Sequence, residues 1–394
     1  MNIDAYTDAF PNKRLILNKI FNGKGISRND IVVETSLSPA TVTKFAAELL
    51  AEGVIQETGE LESTGGRKPT ALQVTPACAY IICVDIGSYL TRIGVAGFDC
   101  ELIECKQVPT KGFDFSCLCQ QIDELLSRYG KERILGIGVG ISGLVDNRNN
   151  SVIFCPNIKQ WNSVELGRLL FEKYGIYTRV NTSARCMIYA ERFWAGYRGY
   201  DNQVFISVGH GIGVGIVIDS KVFYGQSGFA GEMGHIRAAK DQHPCSCGNI
   251  GCLENVVTLP LIIRHVQQAL KKFQGYSPLL TLVGDIEHIN KDYLRQALEK
   301  GDKIVYDELV STGEDLGAAL AILANLFNPA LIVLGGGVIE NFPMVVAEAA
   351  RTLREKSLIP ISQDLSVVAS KLDSNAAVKG CALMICEAFL GRVT

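Results

Sequence analysis

The sequence predicts an α/β protein with a small helical head and two similar lobes, and three observations carry that prediction. From Tyr80 onward, short β-branched runs alternate with helical stretches, the pattern of βαβ units. Glycine-rich turns recur at strand ends in both halves, at DIGSYL (85–90), GHGIGVG (209–215) and LGGGV (334–338). Before Tyr80 the order is different: three helical segments, then two short strands. A length of 394 residues suits two or three such domains. The expected boundaries are 1–75 for the head, 76–190 for the first lobe with 375–394 completing it, and 191–374 for the second lobe.

In the head, a helix is expected from Asn12 to Asn22, stopped by Gly23 and Gly25. Ser27 and Asp30 form a variant capping box for a second helix that ends near Ser36. After a turn at Leu37, Ser38 caps a third helix and Pro39 takes its first position, where a missing N–H costs nothing. Val42, Phe45, Ala46, Leu49 and Leu50 share one face of that helix, and Gly53 ends it. Strands are expected at Val54–Glu57 and Ala71–Val74, joined by a glycine-rich, basic loop containing STGGRKP (63–69).

In the lobes, YIICVDIG and RIGVAGFD pair as strands, 114–129 is helical and ILGIGVGI is a strand. Helices follow at 164–174 and 184–194. The second cycle begins with QVFISVG, a glycine loop and GIVID. Helices at 256–273, 291–299 and 304–327, the strand ALIVLGGGV and a helix from Asn375 to Leu390 complete it.

Composition removes several classes. Apolar residues at 47% and charged residues at 20% exclude disorder and coiled coil as the dominant state. The most apolar runs, such as AALAILANLF near 320, read as too short to span a bilayer. Asp4 and Asp8 with no apolar stretch beside them give no sign of a secretory signal. A net charge of −3 implies no wholesale binding to nucleic acid or membrane. Thirteen cysteines in so long a chain read as thiols of a reducing cytosol, with one cluster set apart.

The second and third helices make a helix-turn-helix, and the two strands after them a wing. With its apolar face occupied, the third helix leaves Thr41, Thr43 and Lys44 outward, and Ser38 adds a hydroxyl at its start. Short hydroxyls suit phosphates or base edges, and Lys44 supplies charge. Arg67 and Lys68 are placed to grip phosphate or enter a minor groove. Residues 1–72 carry eight Lys or Arg against nine Asp or Glu, a net of −1 that opposes strong non-specific binding.

PCSCGNIGCLE (244–254) brings Cys245, Cys247 and Cys252 together within eight residues, a spacing suited to zinc. His243 or His235 is available as the fourth ligand. A ligand at His243 would strain the loop, whereas His235 closes the site from a second segment. With four protein ligands no position is left for water, so the metal reads as structural, pinning the loop that carries Glu254. Glu232, His235 and Glu254, with Gly143 and Asn157, could contact sugar hydroxyls, although spacing alone fits ordinary surface polar residues equally well. The glycine loops fit phosphate cradles and tight packing about equally.

GFAGEMGHI followed by CSCGNIGCLE resembles the zinc and sugar signature of the ROK family of repressors and sugar kinases. The head followed by GGRKP resembles its repressor branch, of the xylose-repressor type. The resemblance runs from about Lys13 to Leu390. It implies a winged helix-turn-helix joined to a two-lobed, actin-like and hexokinase-like ATPase fold. It implies zinc on His235, Cys245, Cys247 and Cys252, and a sugar contacted by Glu232, His235 and Glu254 between the lobes.

Departures from the family's kinase pattern imply a function without catalysis. In kinase members an E-N-D-A-N-like stretch carries the aspartate that deprotonates the sugar. Here the stretch is VNTSAR, which puts Ser183 at the aspartate and Thr182 at the preceding asparagine. Tyr89 replaces the threonine of D-x-G-x-T, His210 that of G-T-G, and Ser142 the proline of V-P-G-L-V-D. The expectation is a cytoplasmic, non-enzymatic repressor that binds a palindromic operator as a dimer or tetramer and senses a sugar. The alternatives are an active sugar kinase with a DNA-binding head and a DNA-binding regulator that needs no ligand.

Overall fold

A computed structural model describes residues 11–23, 25–61, 68–237, 244–273 and 275–391. Arg67 and His243 lie outside the described residues. The chain divides into two units, Met1–Phe193 with Asn375–Thr394 and Trp194–Ser374.

The first unit begins with the head. Helices α1 (Pro11–Gly23), α2 (Arg28–Thr35) and α3 (Pro39–Ala51) precede strands β1 (Ile55–Glu60) and β2 (Thr70–Val74), which pair antiparallel. The Ser27 side chain accepts from the Asp30 N–H at 3.1 Å and the Asp30 carboxylate accepts from the Ser27 N–H at 3.2 Å, so both halves of the capping box form. Ser36 ends α2 in the left-handed conformation, and Ser38 caps α3 through the Thr41 N–H. Val42, Ala46 and Leu49 are fully buried, while Phe45 and Leu50 are half-buried at the edge of the same face. Strand β1 continues to Glu60 rather than ending at Glu57, because a register shift with Gly59 at φ +134° absorbs a bulge.

The lobe of this unit is built on β3 (Tyr80–Ile86), β4 (Leu90–Gly97) and β5 (Leu102–Pro109). Then come α4 (Phe115–Tyr129), β6 (Ile134–Ile141), the hairpin β7 (Leu144–Asp146) and β8 (Ser151–Phe154), α5 (Leu166–Tyr174), β9 (Thr178–Thr182) and α6 (Ser183–Trp194). The sheet order is β5-β4-β3-β6-β9. The first three strands form an antiparallel meander, and β6 and β9 add parallel.

The second unit repeats this plan. Its elements are β10 (Gln203–Val208), β11 (Ile212–Ile218), β12 (Lys221–Val222), α7 (Glu254–Val257), α8 (Leu259–Lys272), α9 (Pro278–Val283), α10 (Lys291–Glu299) and α11 (Lys303–Phe327). They continue with β13 (Leu331–Gly335), α12 (Gly337–Asn341), α13 (Met344–Lys356), α14 (Ile359–Asp364) and β14 (Ser366–Ala369). The order β12-β11-β10-β13-β14, again a meander with two parallel additions, matches the first sheet strand for strand. Two lobes of one topology are the two-lobed, actin-like arrangement.

The chain then returns to the first unit as α15 (Ala376–Leu390), which lies on β3 and β6. Gly138 makes this possible, since a Cβ there would come within 2.4 Å of the Cys381 carbonyl oxygen. The apolar run near 320 belongs to α11, a helix of 25 residues. At 1.5 Å per residue that is about 37 Å, long enough to cross a bilayer, so the argument from length fails. Its Leu309, Leu316, Leu320 and Leu323 instead pack into the core of the second unit.

Candidate functional site

The candidate metal cluster is the most complete feature. His235 sits in a short turn, Met233–His235, and the three cysteines lie on the loop that leads into α7. Gly248 and Gly251 take φ +93° and +78°, giving the reversals that fold the loop back on itself. Backbone bridges pair Arg237 with Cys252 and Pro244 with Ile250. One ligand atom from each of His235, Cys245, Cys247 and Cys252 then lies within 4.8 Å of all the others.

The separations match one central ion. A tetrahedron with metal–sulfur bonds of about 2.3 Å has sulfur–sulfur edges of about 3.8 Å. Cys247 and Cys252 stand 3.7 Å apart at sulfur, and the Cys245 sulfur is 3.7 Å from Nδ1 of His235. Nδ1 therefore faces the cluster. Nε2 faces the other way, 3.9 Å from the Glu232 carboxylate. Only His235, of the two histidines considered, is described at the cluster.

Glu254 opens α7 two residues after Cys252, and its Oε2 accepts from the Ile212 N–H at 2.9 Å. One carboxylate thus ties the metal loop to the start of β11, beside the 209–215 glycine loop. In that loop His210 is exposed, yet partial desolvation by its surroundings, with a smaller effect from Lys291, holds its imidazole below the ordinary value. Glu232, His235 and Glu254 come together in the second unit.

Gly143 and Asn157 belong to the first unit. A Cβ at Gly143 would lie 2.3 Å from the Cys155 sulfur and 2.6 Å from the Phe154 carbonyl oxygen, so packing alone accounts for this glycine. Asn157 is exposed on the turn after Cys155. Thr182 ends β9, and Ser183 is the first residue of α6. The Ser183 hydroxyl donates to Oδ1 of Asp85 at 2.6 Å, and Arg92 stands 3.7 Å from Oδ2. Burial raises the Asp85 carboxyl above the usual range, partly offset by Ser183 and Arg92. This buried link between residues far apart in sequence is what motif reading missed. Tyr89 is exposed on the turn closed by the Gly87 N–H to Leu90 carbonyl bond of 3.1 Å.

On the head, Thr43 and Lys44 are exposed, and Lys44 lies over the Phe45 ring at 5.6 Å. Ser38 and Thr41 share a hydroxyl–hydroxyl bond of 2.8 Å, so each is partly engaged within the helix start. Lys68 is exposed, 3.7 Å from Glu60.

Known proteins carry both halves of this arrangement. The xylose repressor of Caldicellulosiruptor bescii is 30% identical over 381 residues, 95% of each chain. The solved structure of a ROK family transcriptional regulator, a homologue of the E. coli MLC protein, matches at a TM-score of 0.81 and 30% identity, covering 96% of each chain. A ROK family glucokinase from Streptomyces griseus, solved with glucose and AMPPNP, matches at 0.68 and 27% identity over 78% of this chain and 99% of its own. The family model for ROK matches residues 81–388. With repressor-type relatives spanning the head as well as both lobes, the chain belongs to the ROK family.

Proposed function

We propose that this chain is a cytoplasmic transcriptional repressor that binds a palindromic operator through its head and responds to a sugar, with no kinase activity of its own. The observation that carries the reading is the pairing of a capped helix-turn-helix with a lobe that has Ser183, not a carboxylate, at the base position. A serine hydroxyl has no useful proton affinity near neutral pH, and this one already donates to Asp85. Glu232, His235 and Glu254 on the second unit, with Gly143 and Asn157 on the first, would contact the sugar. A sugar that binds one state of the chain better than the other shifts the population toward it, which is how occupancy would act on the head.

The ion proposed at His235, Cys245, Cys247 and Cys252 is zinc. The tetrahedral spacing and a set of three thiolates and one imidazole fit it, and four protein ligands make it structural. Zinc would hold His235 and Glu254 in register while Nε2 of His235 stays available to the sugar. On the head, Ser38, Thr41, Thr43, Lys44, Arg67 and Lys68 would contact DNA. Operator symmetry calls for a homodimer or a tetramer. Exposed Leu326, Leu358 and Ile359 on the second unit, at 72%, 65% and 69% exposure, favour self-association.

One observation favours a second reading, an active kinase. Asp85 is a carboxylate with a raised affinity for protons, bonded to the hydroxyl at the base position. An ADP-release assay with hexoses and pentoses decides between them. Turnover above background removes the repressor-only reading, whereas operator release by a sugar without turnover supports it.

A further inference from the structure

The N-terminus of α6 and the recognition helix α3 belong to the same unit, and a continuous set of contacts joins them. At one end, Ser183 anchors α6 to Asp85 at 2.6 Å. There α15 is anchored to the same strand, the Cys381 thiol donating to the Val84 carbonyl at 3.3 Å. Helices α6 and α15 then meet at two places. The Cys186 and Cys381 sulfurs are 3.6 Å apart. Gly380 lies so close to α6 that a Cβ would fall 1.8 Å from the Cys186 carbonyl oxygen. Farther along, the Tyr189 hydroxyl donates to Glu387 at 2.7 Å.

At their far ends both helices hold α1 of the head. The Phe193 ring, near the end of α6, meets Phe21 at 5.5 Å between centroids. The Leu390 carbonyl, at the end of α15, accepts from the Asn18 side chain at 3.1 Å. Phe98 adds an edge contact to Phe21 at 6.0 Å. From α1, the buried Lys13 pairs with Glu52 at 2.6 Å and Glu48 at 3.5 Å, on the last turn of α3 and just beyond it.

We infer that α6 and α15 form one rigid strut that carries the state of the Thr182–Ser183 segment to α1 and, through Lys13, to the recognition helix. Gly380 is the positioning residue at the crossing, and Phe193, Phe21 and Asn18 are positioning residues at the head. Close-packed helices locked at several points move as a body rather than deform, so a shift at Ser183 reappears at the other end. The DNA part of this inference rests on the repressor reading; the mechanical part does not.

The test uses the full chain and needs no effector. Ser183→Ala frees the near end by removing the bond to Asp85. Phe193→Leu and Asn18→Ala loosen the far end while sparing the core of the head. Hydrogen exchange is followed across 11–23, and affinity is measured for a duplex selected from a random-sequence pool. The strut predicts that Ser183→Ala speeds exchange in α1 at least threefold and weakens duplex binding three- to tenfold. It also predicts that Ser183→Ala adds less than twofold once Phe193→Leu and Asn18→Ala are present, since both changes cut one connection. Unchanged exchange across 11–23 in Ser183→Ala overturns the strut, as do effects that multiply in the combined variant. A wild-type chain that selects no duplex removes the DNA reading alone, and the exchange data still decide the strut.

Discussion

Replacing Cys247 by alanine isolates the contribution of the proposed metal. Cys247 is only half-buried, so its truncation leaves no core cavity, unlike Cys252, which is 1% exposed. The loss is that of one corner of the tetrahedron whose edge to Cys252 is 3.7 Å. Changes outside the ligand shell already lower metal affinity 10–100-fold, so loss of a direct ligand costs at least about 100-fold. At metal levels that saturate the wild type, a 100-fold loss removes about 2.7 kcal/mol of stabilisation from the second unit. For a domain of this size class that lowers Tm by about 5–10 °C. Elemental analysis of dialysed protein should give one zinc per chain for wild type and for a control Cys117→Ala, and far less than one for Cys247→Ala. Calorimetry should show the matching drop. An undiminished zinc content in Cys247→Ala would refute the ligand assignment, whatever its effect on stability.

Other consequences are as direct. Lys44→Ala, on the exposed face of α3, should weaken operator binding and lower the magnitude of its salt slope by about 1, and an unaltered slope would place the phosphate contact elsewhere. Ser27→Ala deletes the side-chain half of the capping box and should cost about 1 kcal/mol, read as a lower denaturant midpoint for the transition that reports the head. Asp85 gives a pH signature. Its carboxyl is raised in the fold, so its contribution is full below the unfolded value near ~4 and is lost as pH rises through the folded value. Asp85→Asn removes that loss, so its stability relative to wild type should increase from pH ~4 upward; a stability relative to wild type that falls with rising pH would show that Arg92 and Ser183 outweigh burial.

The sequence was most legible where chemistry is local. The capping box at Ser27 and Asp30, the Ser38–Pro39 start of α3 and the helix Lys291–Glu299 depend on neighbours within a turn, and pattern reading places them well. The cysteine spacing likewise pointed to the loop whose Cys245, Cys247 and Cys252 the fold gathers beside His235, a neighbour supplied by a second segment. What escaped was tertiary. Strand β5 is an edge strand with a mixed polar face, and β9 is only five residues long, so neither shows a clean period. The helix expected over 256–273 breaks at Thr258, whose extended backbone separates α7 from α8. The Ser183–Asp85 bond spans 98 residues, and the docking of α1 against Phe98, Phe193 and Leu390 leaves no trace in local periodicity.

The central claim is that a sugar-binding lobe without phosphotransfer chemistry controls a DNA-reading head. Its most direct test is the affinity of the full chain for its selected duplex, measured by fluorescence anisotropy with and without each member of a panel of mono- and disaccharides and their phosphates. The account predicts that at least one sugar changes Kd tenfold or more with no ATP present. The same Kd across the whole panel would contradict it.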